Sequence, residues 1–353
     1  MNDAIQDLQA TLRAASAART PLVITGGGSK RFLGHGVPGA TLSTASLTGI
    51  VDYEPRELVL TVRAGTPLAE VERVLAESAQ MLPFDPPHFG AGATIGGTVA
   101  TGLSGPRRAY AGSVRDFMLG VRILDGGGQD LSFGGRVIKN VAGYDITRLM
   151  AGAMGTLGVL VEMSFKVLPN PAAEATLCLE MDAAAAIERI NLWAGSPLPL
   201  SATSWHAGRL HVRLSGAAAG VKAAVEKIGG ERIEDGGAFW HALREQRAPF
   251  FTEAKSIFRV SVPATTHANI RGTSESQWIE WGGAQRWLRD VADIAALRSE
   301  VSALGGHVTC FRGGPANSTV FHPLAPALVP LSRRLKATFD PAGILNPGRL
   351  DSF

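Results

Sequence analysis

Residues 90–116, GAGATIGGTVATGLSGPRRAYAGSVRD, combine seven glycines with small Ala, Thr and Ser residues and, in their second half, three arginines and a tyrosine. Glycine has no Cβ and reaches positive φ cheaply, so such a run lets backbone N–H groups close on a bulky anionic ligand. The hydroxyls and guanidinium groups add donors. A single short glycine turn would be only a turn, but this run spans several and is echoed twice. The first echo is Gly26-Gly27-Gly28-Ser29-Lys30, at the end of the apolar stretch PLVIT. Successive N–H groups can converge there on a phosphate beside a cation, although a tight turn explains the loop equally well. The second echo is Gly152, Gly155 and Gly158. Together the three read as the wall of a large nucleotide or cofactor site. Two other patterns fail. No Walker A loop is present, and Gly34, Gly36 and Gly39 match GxGxxG with Pro38 inside the match and no helix pattern after it, which excludes a Rossmann fingerprint.

The elements that must position these loops belong to a chain of 353 residues, long enough for two domains, with 45% hydrophobic and 18% charged residues. A net charge of +3 without any long basic block points away from nucleic acid and from a membrane patch, and no apolar run approaches membrane-spanning length. The two cysteines, Cys178 and Cys310, are far apart, so no iron–sulfur cluster or zinc ribbon is expected on this chain. The first twenty residues read as an amphipathic helix whose Asp3 and Asp7 argue against a signal or transit peptide, which leaves a cytoplasmic setting. Hairpins are expected at 48–63 and 121–133, the glycines at 126–128 serving only the turn. Thr66 is expected to cap a helix that starts at Pro67. His88 reads as an exposed loop residue, and 244–251 as a loop or helix end that could reach back toward the first domain. Beyond Pro171 all six tryptophans appear and no tyrosine does, which marks a domain boundary. Strand-like and helix-like runs then alternate, as in a sheet covered by helices.

The set VITGGGSK, ATIGGTVATGLSGPRRAYAGSVRD, KNVAGYD, GTLGV and FDPAGILNPGRL, in this order, resembles the FAD-linked oxidases of the vanillyl-alcohol oxidase and p-cresol methylhydroxylase type, and among them the FAD-binding subunits of bacterial glycolate oxidases. The resemblance implies an α+β fold: a bilobal FAD-binding domain over 1–170, an α+β cap over 171–325, and a C-terminal segment, 326–353, that returns to the FAD domain. It also implies non-covalent FAD. Gly26, Gly27, Gly28, Ser29 and Lys30 would hold the pyrophosphate with Ala93, Thr94, Ile95, Gly96, Gly97, Ala100 and Thr101. Ser104, Gly105, Tyr110, Gly112 and Ser113 would line the flavin, Gly155, Gly158 and Val159 the adenosine side, and Asn346 would bring the tail to the ring. Lys139 corresponds to a lysine that faces the substrate carboxylate in related 2-hydroxy-acid dehydrogenases, a surface lysine being the alternative.

The chain also departs from those dehydrogenases, which carry a His-x-Gly-Asp-Gly-Asn-x-x-His-like metal segment in the cap. Here residues 206–211, HAGRLH, lack its core, and His206 and His211 would fall on opposite faces of one extended strand, so no metal is expected. The resemblance therefore implies an FAD-dependent subunit of a glycolate oxidase complex that oxidises glycolate to glyoxylate beside a homologous FAD subunit and an iron–sulfur subunit. Any contact with the inner membrane would run through those partners. With the metal residues missing, the substrate-oxidising flavin would sit on the homologous partner and this chain would be a relay or support. Two rivals stand beside that reading. One is a self-sufficient oxidase of another small 2-hydroxy acid using Lys139 with Arg107 or Arg108; the other is a structural subunit with a non-catalytic FAD site.

Overall fold

Ile5, Leu8, Leu12 and Ala15 recur at helical spacing in the helix Asn2–Ala18, and all four are buried, so one stripe of this helix faces a core. The computed structural model describes residues 2–135, 145–270, 276–314 and 319–350. Lys139 lies outside them. The chain forms two compact units: Met1–Ser104, Ser113–Pro169 and Pro323–Phe353 make the first, Gly105–Gly112 and Asn170–His322 the second.

In the first unit the strand Leu22–Thr25 runs parallel to Ala40–Ser43, and Leu22 also bridges Leu345 in parallel. Leu22 N–H donates to Ile344 O at 2.8 Å and Asn346 N–H donates to Leu22 O at 3.0 Å, so the C-terminal segment is built into the edge of this small sheet. Beside it stands a five-stranded antiparallel sheet in the order Ile50–Glu54, Val59–Arg63, Val159–Lys166, Met118–Leu124, Asp130–Gly134. Both expected hairpins are in it. The helix Leu68–Glu77 closes its core through Leu68, Val71 and Leu75. Its N-cap is Pro67, not Thr66. The Thr66 hydroxyl instead accepts from Gly49 N–H at 2.9 Å, which ties the helix entry to the preceding hairpin. The turn at 126–128 also does more than reverse the chain: Gly126 N–H donates to Phe339 O at 2.8 Å, and a Cβ on Gly126 would lie 2.5 Å from the Asp340 carboxylate.

The second unit is built on an eight-stranded sheet whose interior order is Ala173–Glu180, Arg209–Gly216, Leu200–His206, Gln277–Glu280, Gln285–Arg289, Ile257–Ser261, with Glu231–Ile233 and His307–Arg312 at its two edges. The helices Ala183–Ala194, Ala218–Ile228 and Ile294–Ala303 contact its strands and share its apolar clusters. Five of the six tryptophans are buried here, Trp281 being half-exposed. Residues 244–251 are the end of the helix Gly236–Arg244 and the start of the turn Pro249–Thr252, whose Phe250 and Phe251 are buried against Trp278. His206 and His211 do not share one strand. Ala207 and Gly208 turn the chain with φ of 47° and 80°, putting the two histidines on neighbouring strands, His206 stacked on Trp278 and His211 on Phe239. No three His, Cys, Asp or Glu side chains gather into a metal-binding group among the described residues, and no helix there is long and apolar enough to cross a membrane.

Candidate functional site

A cavity of about 480 Å³ opens in the first unit where the strand Leu22–Thr25 runs out into Gly26, Gly27 and Gly28, a size usual for small-molecule and cofactor sites. Three glycine-lined segments meet there because their backbones approach more closely than any side chain would allow. A Cβ on Gly27 would sit 1.4 Å from Gly92 O, one on Gly26 2.7 Å from Thr94 Oγ1, and one on Gly155 2.7 Å from Asn346 Nδ2. Thr94 caps the helix Ile95–Thr101 by accepting from Gly97 N–H at 3.1 Å, and Gly96 and Gly97 present bare backbone to the cavity.

The electrostatics of the wall have one sign. Lys30, Arg31 and Arg349 line the cavity, and among the described residues no Asp or Glu does. The N–H groups of Gly26, Gly27, Gly28 and Ser29 find no acceptor among the described residues, although a backbone donor without a partner is a costly thing to enclose. Lys30 is 6% exposed, and its ammonium donates to His88 O at 3.2 Å. His88 is not the exposed loop residue expected: it is half-buried, and its Nε2 lies 2.9 Å from Glu72 Oε2. Burial, and then the charge of Arg31, holds the Arg349 guanidinium below its ordinary value. A wall of converging N–H groups and crowded cations is complementary to a polyanion such as a pyrophosphate.

Asn346 fixes the far side. Its Oδ1 accepts from Ile24 N–H at 2.8 Å and its Nδ2 donates to Met154 O at 2.7 Å, at a backbone φ of 41°. The tail is held from behind by Asp340, which is buried and accepts from Lys336 Nζ at 2.6 Å, Ile344 N–H at 3.1 Å and Leu345 N–H at 2.7 Å.

Of the residues singled out from the sequence, Gly26, Gly27, Gly28, Ser29, Lys30, Thr94, Gly96, Gly97, Ala100, Thr101, Gly155, Gly158 and Asn346 line this one cavity. Ala93, Ile95 and Val159 are buried in the cores behind it. Ser113 caps the turn Val114–Phe117 together with Asp116, and Ser104 Oγ accepts from Val114 N–H at 3.1 Å. Gly105, Tyr110 and Gly112 belong to the second unit, where the Tyr110 hydroxyl is buried and its pKa raised, chiefly by that burial. The lining residues that sequence reasoning missed include Arg31, Thr44 and Arg349, and Gly36 and Gly39 of the rejected GxGxxG match. Arg31 and Arg349 each adjoin a glycine-rich motif, and that proximity was the available signal.

Residues 3–134 match the FAD binding domain family, and residues 322–350 match the C-terminal domain of FAD linked oxidases. The glycolate oxidase subunit GlcE of Escherichia coli strain K12 is 46% identical over 348 residues, which cover 99% of this chain and 97% of that protein. A D-2-hydroxyglutarate dehydrogenase of Xanthomonas citri pv. viticola is 32% identical over 171 residues, 47% of this chain and 36% of the relative. Among solved structures, an alkyldihydroxyacetonephosphate synthase superposes with a TM-score of 0.68 over 98% of this chain and 76% of its own, at 16% identity, which shows a shared fold. The family motifs bracket the cavity from both ends of the chain and the likeness to GlcE is end to end, so the chain belongs to the FAD-linked oxidases, in the family of the glycolate oxidase subunit GlcE.

Proposed function

We propose that this chain is the FAD-binding subunit of a glycolate oxidase complex, in which glycolate is oxidised to glyoxylate and the electrons pass to partner subunits. The observation that carries the reading is the cavity wall: N–H groups of Gly26, Gly27, Gly28 and Ser29 beside Lys30, Arg31 and Arg349, with neither an acceptor for those groups nor a carboxylate in the lining among the described residues. Bound FAD supplies the acceptor for the two electrons released when an alcohol becomes a carbonyl. The chain's own residues bind and orient. Gly26–Ser29 would take the pyrophosphate, Gly96 and Gly97 would leave it room, Lys30 and the two arginines would neutralise it, and Asn346 sets the position of the C-terminal wall. Gly28 and Ser29 follow the first glycine pair and provide no histidine to tether a flavin, which supports non-covalent binding.

The partner reading is supported by the chain's cysteine content. Its two cysteines are free and buried and make no cluster-binding set, which supports a route in which electrons leave through an iron–sulfur subunit beside a homologous FAD subunit. The setting is cytoplasmic, with membrane attachment through those partners. Co-expression with the partners and glycolate-dependent dye reduction test the assignment. Turnover that depends on this chain, with FAD released intact by acid, is expected; a complex equally active without it would refute the reading.

A further inference from the structure

The sheet of the second unit carries a polar row. Its antiparallel register sets Ser204, Glu280, Gln285, Ser261 and His307 abreast across five strands. Paired residues share a face and residues two apart share it too, so Arg259 and its partners Trp287 and Thr309 belong to this side, opposite the helix-covered one that holds Val260 and Val308. Much of the row is engaged internally: Glu280 accepts from Gln285 Nε2 at 3.0 Å and from Trp287 Nε1 at 2.5 Å.

Arg259 is different. Its guanidinium lies over the Phe311 ring, 5.8 Å from the centroid, and no carboxylate or carbonyl among the described residues binds it. The contrast is Arg286 on the covered face, whose Nε and Nη2 donate to Gly283 O and Thr266 O at 2.8 and 3.0 Å. His307 stands on the neighbouring strand opposite Ser261, two residues from Arg259, and Arg108 acts on Arg259 through its charge. Arg108 stacks on Trp281 at 4.4 Å, and that indole is pinned by its bond to Gly105 O at 3.1 Å. Burial, and then the charge of Arg108, brings the Arg259 pKa down to about 10. His307 is held below its ordinary value by burial first and then by Arg259, His322 and Arg108. The adjacent Arg107 pairs with Glu174 and Ser215.

A planar guanidinium fork with no acceptor among the described residues, recessed on an aromatic wall, gains most from a small oxyanion. We propose that Arg259, with His307 on the neighbouring strand, binds the carboxylate of a small 2-hydroxy acid. That the acid is glycolate rests on the function proposed above. Substrate capture then belongs to this chain itself, rather than only to a homologous partner.

Calorimetric titration of the full-length chain with glycolate and with oxalate, against sodium chloride of matched ionic strength, tests this. Arg259→Met is expected to weaken both ligands on the order of tenfold or more, as loss of a charge-assisted fork would. Arg259→Lys, which keeps the charge without the fork, is expected to fall between, and Arg108→Gln to weaken binding less than Arg259→Met. Circular dichroism and flavin content, read on the same samples, are expected to stay at wild-type levels. A folded, flavin-loaded Arg259→Met that binds glycolate as wild type overturns the proposal, as does a flavin-loaded wild type that binds neither acid. A colourless chain that still binds glycolate through Arg259 sinks the flavin reading and leaves this one standing.

Discussion

Gly27 and Gly97 line the same cavity for different physical reasons, and two substitutions separate them. A Cβ at Gly27 would overlap Gly92 O at 1.4 Å, with backbone on both sides and no room to yield. Gly27→Ala is therefore expected to displace the 90–94 segment, lowering thermal stability and flavin content together. A Cβ at Gly97 meets only the Thr94 hydroxyl, at 3.2 Å, so Gly97→Asp adds a negative charge to the cationic wall and leaves the backbone nearly undisturbed. It is expected to keep the fold by circular dichroism and lose FAD. His211 provides a third residue-scale case. Its pKa is pushed down to about 4 by burial, then by Arg209, against an ordinary 6.5. The folded form refuses a proton that the unfolded chain accepts, so its contribution to stability is full above about 6.5 and drains away as pH falls toward 4. Urea midpoints should therefore fall across that window, and less steeply in His211→Gln; parallel curves for the two proteins would refute this.

Among elements, the C-terminal segment matters most to the site, because Asn346 and Arg349 reach the cavity only when residues 340–346 are locked against the strand Leu22–Thr25. The lock is Asp340 with Lys336, whose ammonium also donates to Thr156 O at 2.7 Å and Leu345 O at 2.8 Å. Asp340→Ala takes the counter-charge from that ammonium and the acceptor from two N–H groups, which is expected to cost about 3–5 kcal/mol by denaturant titration and to release flavin. Unchanged flavin affinity would show that the tail is dispensable. This lock was illegible in the sequence, where Lys336 and Asp340 look like any i,i+4 surface pair; only the return of the tail buries them. The glycine loops were legible, because several glycines at the end of an apolar strand mark a place where backbone must approach backbone or ligand closely. The hairpin between His206 and His211 was missed for want of a strong turn signal, since Ala207 takes positive φ without being glycine or asparagine. Thr66 matched the N-cap preference, but its hydroxyl was claimed by Gly49 across the hairpin.

At the scale of the whole molecule, the two units divide the chemistry. The first is a cationic, glycine-lined cavity closed by the chain's own C-terminal segment; the second is a sheet with one apolar face under helices and one polar, aromatic face holding Arg259. Trp278 is 7% exposed, stacks on His206 and donates to Ser204 Oγ at 2.7 Å, so it is part of the second unit's own packing. Trp278→Ala is expected to lower that unit's thermal midpoint whether or not partner chains are present, and an effect seen only on complex assembly would refute this. The central claim is that the first unit is an FAD site, and the most direct measurement is the absorbance spectrum of the purified chain after reconstitution with FAD, alongside Gly97→Asp. Stoichiometric flavin bands are expected in the wild type, lost to the supernatant on acid treatment and absent from the folded variant. A wild type that stays colourless, or a Gly97→Asp form that binds flavin as tightly as wild type, would contradict it.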